Sequence, residues 1–218
     1  MDLLIINFMK KFLISTPGRT ASSSFFNYVE QSLLDTGATV AAVDRGQYAN
    51  EEWTAFNTSE YAAFTTFNPF GFVNAVNKIN PSEWCLILLT RKDIAAWLLS
   101  INALHVTNEW HPGKDYQAKN LTFSKDAFMS SYWYYQCWQR MVYNQADSFG
   151  FGQVVRVDFD NLVKDWPAVG QQFGWTWAVE EKRMKMGQTA TWDSVTNLEQ
   201  VLTWIPEEYI IQQIINSL

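Results

Sequence analysis

An open α/β fold, a parallel sheet flanked by helices, is the architecture this sequence predicts. Apolar runs of strand length recur at Phe12–Ser15, Ala38–Val43, Trp84–Thr90 and Val154–Phe159, and the longer segments between them carry helical spacing. Strands alternating with helices form parallel sheets covered on both faces. The first run also passes through a tight turn straight into a helix, and open α/β sheets bind their ligands at the carboxyl ends of strands.

The first segment, residues 10–28, reads KKFLISTPGRTASSSFFNY. Phe12, Leu13 and Ile14 make the strand, and Ser15-Thr16-Pro17-Gly18 make the turn. Phe25, Phe26, Val29 and Leu33 set the period of a helix from about Ala21 to Leu34. A helix start exposes unpaired backbone N–H groups and the positive end of the dipole, so it attracts phosphate-like anions. Arg19 adds a fixed charge, and Thr20, Ser22, Ser23 and Ser24 add hydroxyl donors. A Ser-rich stretch can also simply cap a helix; the preceding strand and Arg19 favour an anion site. It is not the triphosphate loop G-x-x-x-x-G-K followed by Ser or Thr. The turn has no lysine, and Ala21 stands where the second glycine would fall.

The second strand ends at Val43, before Asp44 and then Glu51 and Glu52 in NEEW. Thr54–Phe72 has no clear period and is left mixed. The third strand, CLILLT, runs into Arg91-Lys92-Asp93 and a helix from Asp93 to Val106. Ile94, Trp97, Leu98, Ile101 and Leu104 form its apolar stripe; Asp93, Ala96, Ser100, Ala103 and Thr107 form a line of small or polar residues. Arg91 has the planar fork that grips a phosphate, and Ser100 offers a hydroxyl. The alternative pairs Arg91 with Asp93 or another carboxylate and makes Ser100 a filler. Further helices run from Lys125 to Ala146 and from Glu207 to Ile215, on either side of the fourth strand, whose carboxyl end is Asp158–Asp160.

The chain has 218 residues, 48% hydrophobic, and no repeat or linker divides it, so one domain over 1–218 is expected. Its net charge of −6 argues against electrostatic binding of nucleic acid, which needs many Lys and Arg contacts. Cys85, Cys137, His105 and His111 have no metal-ligand spacing, so no metal is expected and the thiols read as reduced. No apolar run reaches the length of a membrane span, and in MDLLIINFMKKF the lysines follow the apolar run, unlike a signal peptide. A soluble, cytoplasmic protein is the expectation.

These segments together resemble the sulfotransferase family. Its first motif is a strand followed by Pro, Arg or Lys, Ser or Thr, Gly, and two further Ser or Thr. Here Pro17 and an added Gly18 precede Arg19-Thr20-Ala21-Ser22-Ser23, with alanine in place of the glycine. The second motif, an Arg closing a strand and a Ser in the next helix, matches Arg91 and Ser100. RKDIAAWLLSINAL is similar to the version in bacterial glycolipid-type members. VVRVDFDNLVKDWPAVGQQFGW is similar to the family's late strand and turn. Asn197-Leu198-Glu199 with Trp204-Ile205-Pro206-Glu207 is similar to tyrosylprotein members, although Ser194 stands where those carry a lysine.

The resemblance implies a P-loop nucleotide-kinase-like fold and the cofactor 3′-phosphoadenosine 5′-phosphosulfate (PAPS), without a metal. Pro17, Gly18, Arg19, Thr20, Ala21, Ser22, Ser23 and Ser24 would hold the 5′-phosphosulfate, and Arg91 and Ser100 the 3′-phosphate. Lys182, Arg183 and Lys185 would supply late phosphate contacts, or else form a solvated helix face. The implied reaction is in-line transfer of a sulfuryl group to a hydroxyl or amine, with Arg19 steadying the leaving phosphate. Asp44, Glu51 and Glu52 are candidate bases, with His105 and His111 as outside candidates. The acceptor class stays open among a small molecule, a carbohydrate, a lipid and a peptide. Two other readings stand beside this one: a catalytically inactive sulfotransferase-like binding or interaction module, and a small-molecule kinase, which lacks its Gly-Lys-Ser/Thr.

Overall fold

The computed structural model describes residues 9–18, 20, 22–43, 50–108, 118–159, 162–175 and 190–218, without the side chains at 50–52 and 162–165. The chain forms two compact units, residues 1–90 with 138–179 and residues 91–137 with 180–218.

The first unit holds strands β1 (Lys11–Ser15), β2 (Val40–Val43), β3 (Tyr61–Thr66), β4 (Cys85–Thr90) and β5 (Gln153–Asp158). They form one sheet in the order β2-β3-β1-β4-β5, with every pairing parallel. The fold is therefore α/β with a parallel sheet. β4 is buried at every position, as its unbroken CLILL run requires of a strand covered on both faces. β2 is half-buried throughout and lies at an edge.

Helices flank both faces. On one, Leu13, Phe64, Leu86 and Leu88 pack with α2 (Asn50–Thr58), α3 (Pro69–Val76) and the residues Trp138, Val142 and Ala146. On the other, Phe12 meets Phe173 and Trp175 with ring centroids 5.0 and 5.2 Å apart. There Phe25 and Tyr28 of α1 (Ser22–Leu34) pack on Trp166 of α6 (Leu162–Gln172). The mixed segment Thr54–Phe72 resolves into the end of α2, all of β3 and the start of α3. Asn68 caps α3 by accepting from Gly71 N at 2.6 Å, with Pro69 in the first turn.

The second unit contains α4 (Ile94–Thr107), most of α5 (Lys125–Trp138), α7 (Leu198–Trp204) and α8 (Glu208–Ile215). Trp97, Leu98, Phe128, Tyr132, Trp192 and Ile210 belong to its core. The helix expected through Ala146 stops being α at Trp138 and continues as a π-turn over Gln139–Tyr143. Two extended segments pair in this unit: Leu121 N donates to Ser194 O and Thr196 N to Leu121 O, both at 2.7 Å. Asn197 brackets Phe123, accepting from its N at 3.1 Å and donating to its O at 2.9 Å. No helix among the described residues is long and apolar enough to cross a membrane.

Candidate functional site

β1 connects toward β2 on one side of the sheet, while its neighbour β4 leads toward β5 on the other. Connections that part in opposite directions leave a crevice between the carboxyl ends of the two strands, the usual ligand site of open α/β sheets. Buried polar side chains collect at this edge: Ser15, Thr16, Thr20, Ser22, Thr65, Thr66, Thr90 and Asp158. Ser15 is the register partner of Thr66, and Thr90 of Asp158. Buried polar groups need partners, so their concentration at one end marks that end as polar by design.

Thr16 ties the β1–α1 turn together. Its N donates to Thr66 O at 3.1 Å, its Oγ1 accepts from Gly18 N at 3.0 Å, and its hydroxyl shares a hydrogen bond with that of Thr20. Thr20 is fully buried, so it braces the turn from within. Gly18 sits at φ +81°, a left-handed conformation that a residue with a Cβ adopts only under strain. The added glycine thus has a geometric job. Phe67 flanks it, with its ring 4.0 Å from where a Gly18 Cβ would stand.

Ser22 is buried, Ser23 and Ser24 are half-buried, and the first turn of α1 contains no acidic residue. The positive end of this helix dipole therefore faces the polar edge without a carboxylate of its own first turn. Arg19 and Ala21 lie outside the described residues.

Arg91 and Ser100 belong to the second unit. Arg91 is half-buried, and its carbonyl accepts from Tyr135 Oη at 2.8 Å. Asp93 caps α4, its Oδ1 accepting from Ala96 N at 2.8 Å, and Gln213 Oε1 accepts from Ala95 N at 3.2 Å. Ala96, Ser100 and Thr107 form a half-buried line, whereas Ile94, Trp97, Leu98 and Leu104 are buried. Ala103 of the second line is buried, Ile101 of the apolar stripe is half-buried, and Ala95, Leu99 and Asn102 are buried as well, so the two stripes read from the sequence do not separate into distinct sides of the helix. His105 is exposed in the last turn of α4, roughly 17 Å along the axis from Ile94.

Asp44, His111, Lys182, Arg183 and Lys185 fall outside the described residues, as do the side chains of Glu51 and Glu52 on α2. β2 ends at Val43, with β3 between it and β1. That end is two strand spacings, about 10 Å, from β1. The strand beside β1 is β3, and its last residues Thr65 and Thr66 are what the sequence reading does not single out. The signal for them is the run YAAFTT stopped by Asn68-Pro69. Trp138 Nε1 donates to Ser15 Oγ at 3.1 Å across the first unit, and no local pattern announces such a contact. Asn197, from the Asn-Leu-Glu segment, is a backbone clamp.

Burial pushes the Cys85 thiol far above its ordinary range, so this cysteine is an inert core residue. Among the described residues no group of three His, Cys, Asp or Glu is placed to hold a metal. Compared with known proteins, the chain matches no family model and no curated protein.

Proposed function

We propose that the chain is a PAPS-dependent sulfotransferase whose β1–α1 turn holds the 5′-phosphosulfate. The start of α1 carries this reading: three serines, no acid and a left-handed glycine, following the central strand of a parallel sheet at its switch point. An anion fits there, since the helix end and the hydroxyls are donors and the first turn contributes no competing charge. The turn's place after the central strand supports the P-loop nucleotide-kinase-like form of the fold.

When bound, PAPS supplies an activated sulfuryl group. The chain's own contribution is positional and electrostatic: Arg19 and Ser22–Ser24 bind the phosphosulfate oxygens and steady the leaving phosphate. A carboxylate among Asp44, Glu51 and Glu52 takes the acceptor's proton. Arg91 and Ser100 are assigned to the 3′-phosphate by the resemblance alone, and Arg91→Ala tests that assignment separately.

Thermal unfolding in adenosine 3′,5′-bisphosphate, against ATP with Mg2+, tests the reading. A ligand at 100 times its Kd stabilises by about 2.7 kcal/mol, which raises Tm by roughly 5–10 °C in a chain of this size. The bisphosphate is expected to give that rise without metal, ATP with Mg2+ is not, and Arg19→Ala should remove it. A rise with ATP and Mg2+ alone points to the kinase. No rise with either ligand refutes both enzymes.

A further inference from the structure

On the sheet face that packs α2 and α3, the inward columns of β1 and β3 turn from apolar to polar at their last residues. β1 runs Leu13 then Ser15, and β3 runs Ala62, Phe64 then Thr66. Ser15 and Thr66 are register partners in parallel strands, so both project to this face about 4.8 Å apart at the backbone. Both are buried, at 0% and 3% exposure. Trp138, fully buried in the same core, donates to Ser15 Oγ, which leaves the Ser15 O–H proton for another acceptor. Thr66 Oγ1 is buried and has no hydrogen-bond partner. A buried hydroxyl left unsatisfied costs stability, whereas valine would fill the same shape without that cost. The hydroxyl is kept at the one end of the sheet where ligands bind.

We infer that Ser15, Thr66 and Trp138 form an acceptor subsite for a neutral alcohol. The inference rests on the transferase reading and adds to it the residues that hold the acceptor oxygen. One hydroxyl proton on each of Ser15 and Thr66, with their lone pairs, matches the single donor and two lone pairs of an alcohol. Among the described residues 15–18 and 65–68, around the ends of β1 and β3, no side chain is charged, so the residues flanking the subsite offer an ionised acceptor no counter-charge. Asp158, at the end of β5 and about 10 Å from β1, further disfavours an anion.

The two polar groups also approach the end of β1 from opposite sides. α1 packs on the face of Phe12 through Tyr28 and Trp175, while Ser15 and Thr66 lie on the face of Leu13. In-line transfer needs the entering oxygen opposite the leaving one. One sulfur–oxygen bond to the phosphate breaks as one to the alcohol forms, and the alcohol's proton passes to the base.

Calorimetric titration with phenol, cyclohexanol and benzoate, with and without saturating adenosine 3′,5′-bisphosphate, tests this subsite. The chains compared are the wild type, Thr66→Val, Thr66→Ser and Ser15→Ala. At least one of the two alcohols is expected to bind the wild type and Thr66→Ser, and benzoate to bind none. Thr66→Val should weaken alcohol binding at least tenfold while its melting temperature holds or rises and its bisphosphate shift is unchanged. Failure of both alcohols to bind the wild type overturns the subsite, as does equal binding by Thr66→Val. Alcohol binding that depends on Thr66 in a chain with no bisphosphate shift sinks the cofactor reading and leaves the subsite standing.

Discussion

Among the helices of this chain that follow a strand, α4 and α1 have first turns that are finished differently. α4 closes its own start: the Asp93 carboxylate accepts from Ala96 N and the Gln213 side chain from Ala95 N. α1 begins with Ser22-Ser23-Ser24 behind a left-handed Gly18, and its first turn has no acid. Both starts carry the same partial positive charge. At α4 the protein supplies the answering anion from its own sequence, and at α1 the first turn withholds it. On the proposed reading, this strand-to-helix turn becomes a binding place through that omission more than through the dipole itself.

The contrast breaks most sharply if α1 is given the carboxylate it lacks. Ser23→Glu places one in the half-buried first turn. It should leave the free protein as stable or up to about 1 kcal/mol more stable, while weakening adenosine 3′,5′-bisphosphate at least tenfold. Melting curves and calorimetry read the two effects separately. Unchanged affinity in that variant would show that the anion is held elsewhere.

A second substitution tests what fixes the pose of α1. A Cβ on Gly170 of α6 would come 2.1 Å from Tyr28 Oη. Tyr28 is buried and lies nearly parallel to Trp166, with 18° between the rings, so its hydroxyl cannot swing aside cheaply. Gly170→Ala should cost about 1–3 kcal/mol in urea unfolding and weaken the bisphosphate by displacing α1. A variant as stable as the wild type would mean that the contact yields and does not set the helix.

Much of the fold is legible because burial on both faces writes itself into composition. CLILLT announces β4, and long apolar stripes announce α1 and α4. β3 is not legible in the same way: YAAFTT is diluted by alanines and ends in the hydroxyls that serve the polar edge. α2 and α3, at 9 and 8 residues, are too short to show a period. The helical pattern after Lys125 runs on past Trp138 because a π-turn shifts the buried face without changing the residue types. The turn from Ser15 to Ser24 could be read locally, since strand, breaker and cap lie within ten residues. The insertion of β3 between β2 and β1, and the bond from Trp138 to Ser15, are tertiary facts. A reading by segments therefore does not single out Thr66.

The smallest expected effect completes the comparison from the other side. Asp93→Ala removes the cap of α4, and losing an Asp cap costs about 1 kcal/mol, or roughly 2–4 °C in Tm. Asp93→Asn should recover most of that loss, because an amide oxygen still accepts from Ala96 N. Neither change removes a donor to an anion, so bisphosphate affinity should be no weaker than in the wild type. Set beside Ser23→Glu, the pair forms a double dissociation. A carboxylate added to α1 should weaken binding and spare stability, and one taken from α4 should lower stability and spare binding. If Asp93→Ala instead weakened the bisphosphate tenfold, the Asp93 carboxylate would be serving the ligand as well as the helix, and the division between the two helix starts would fail.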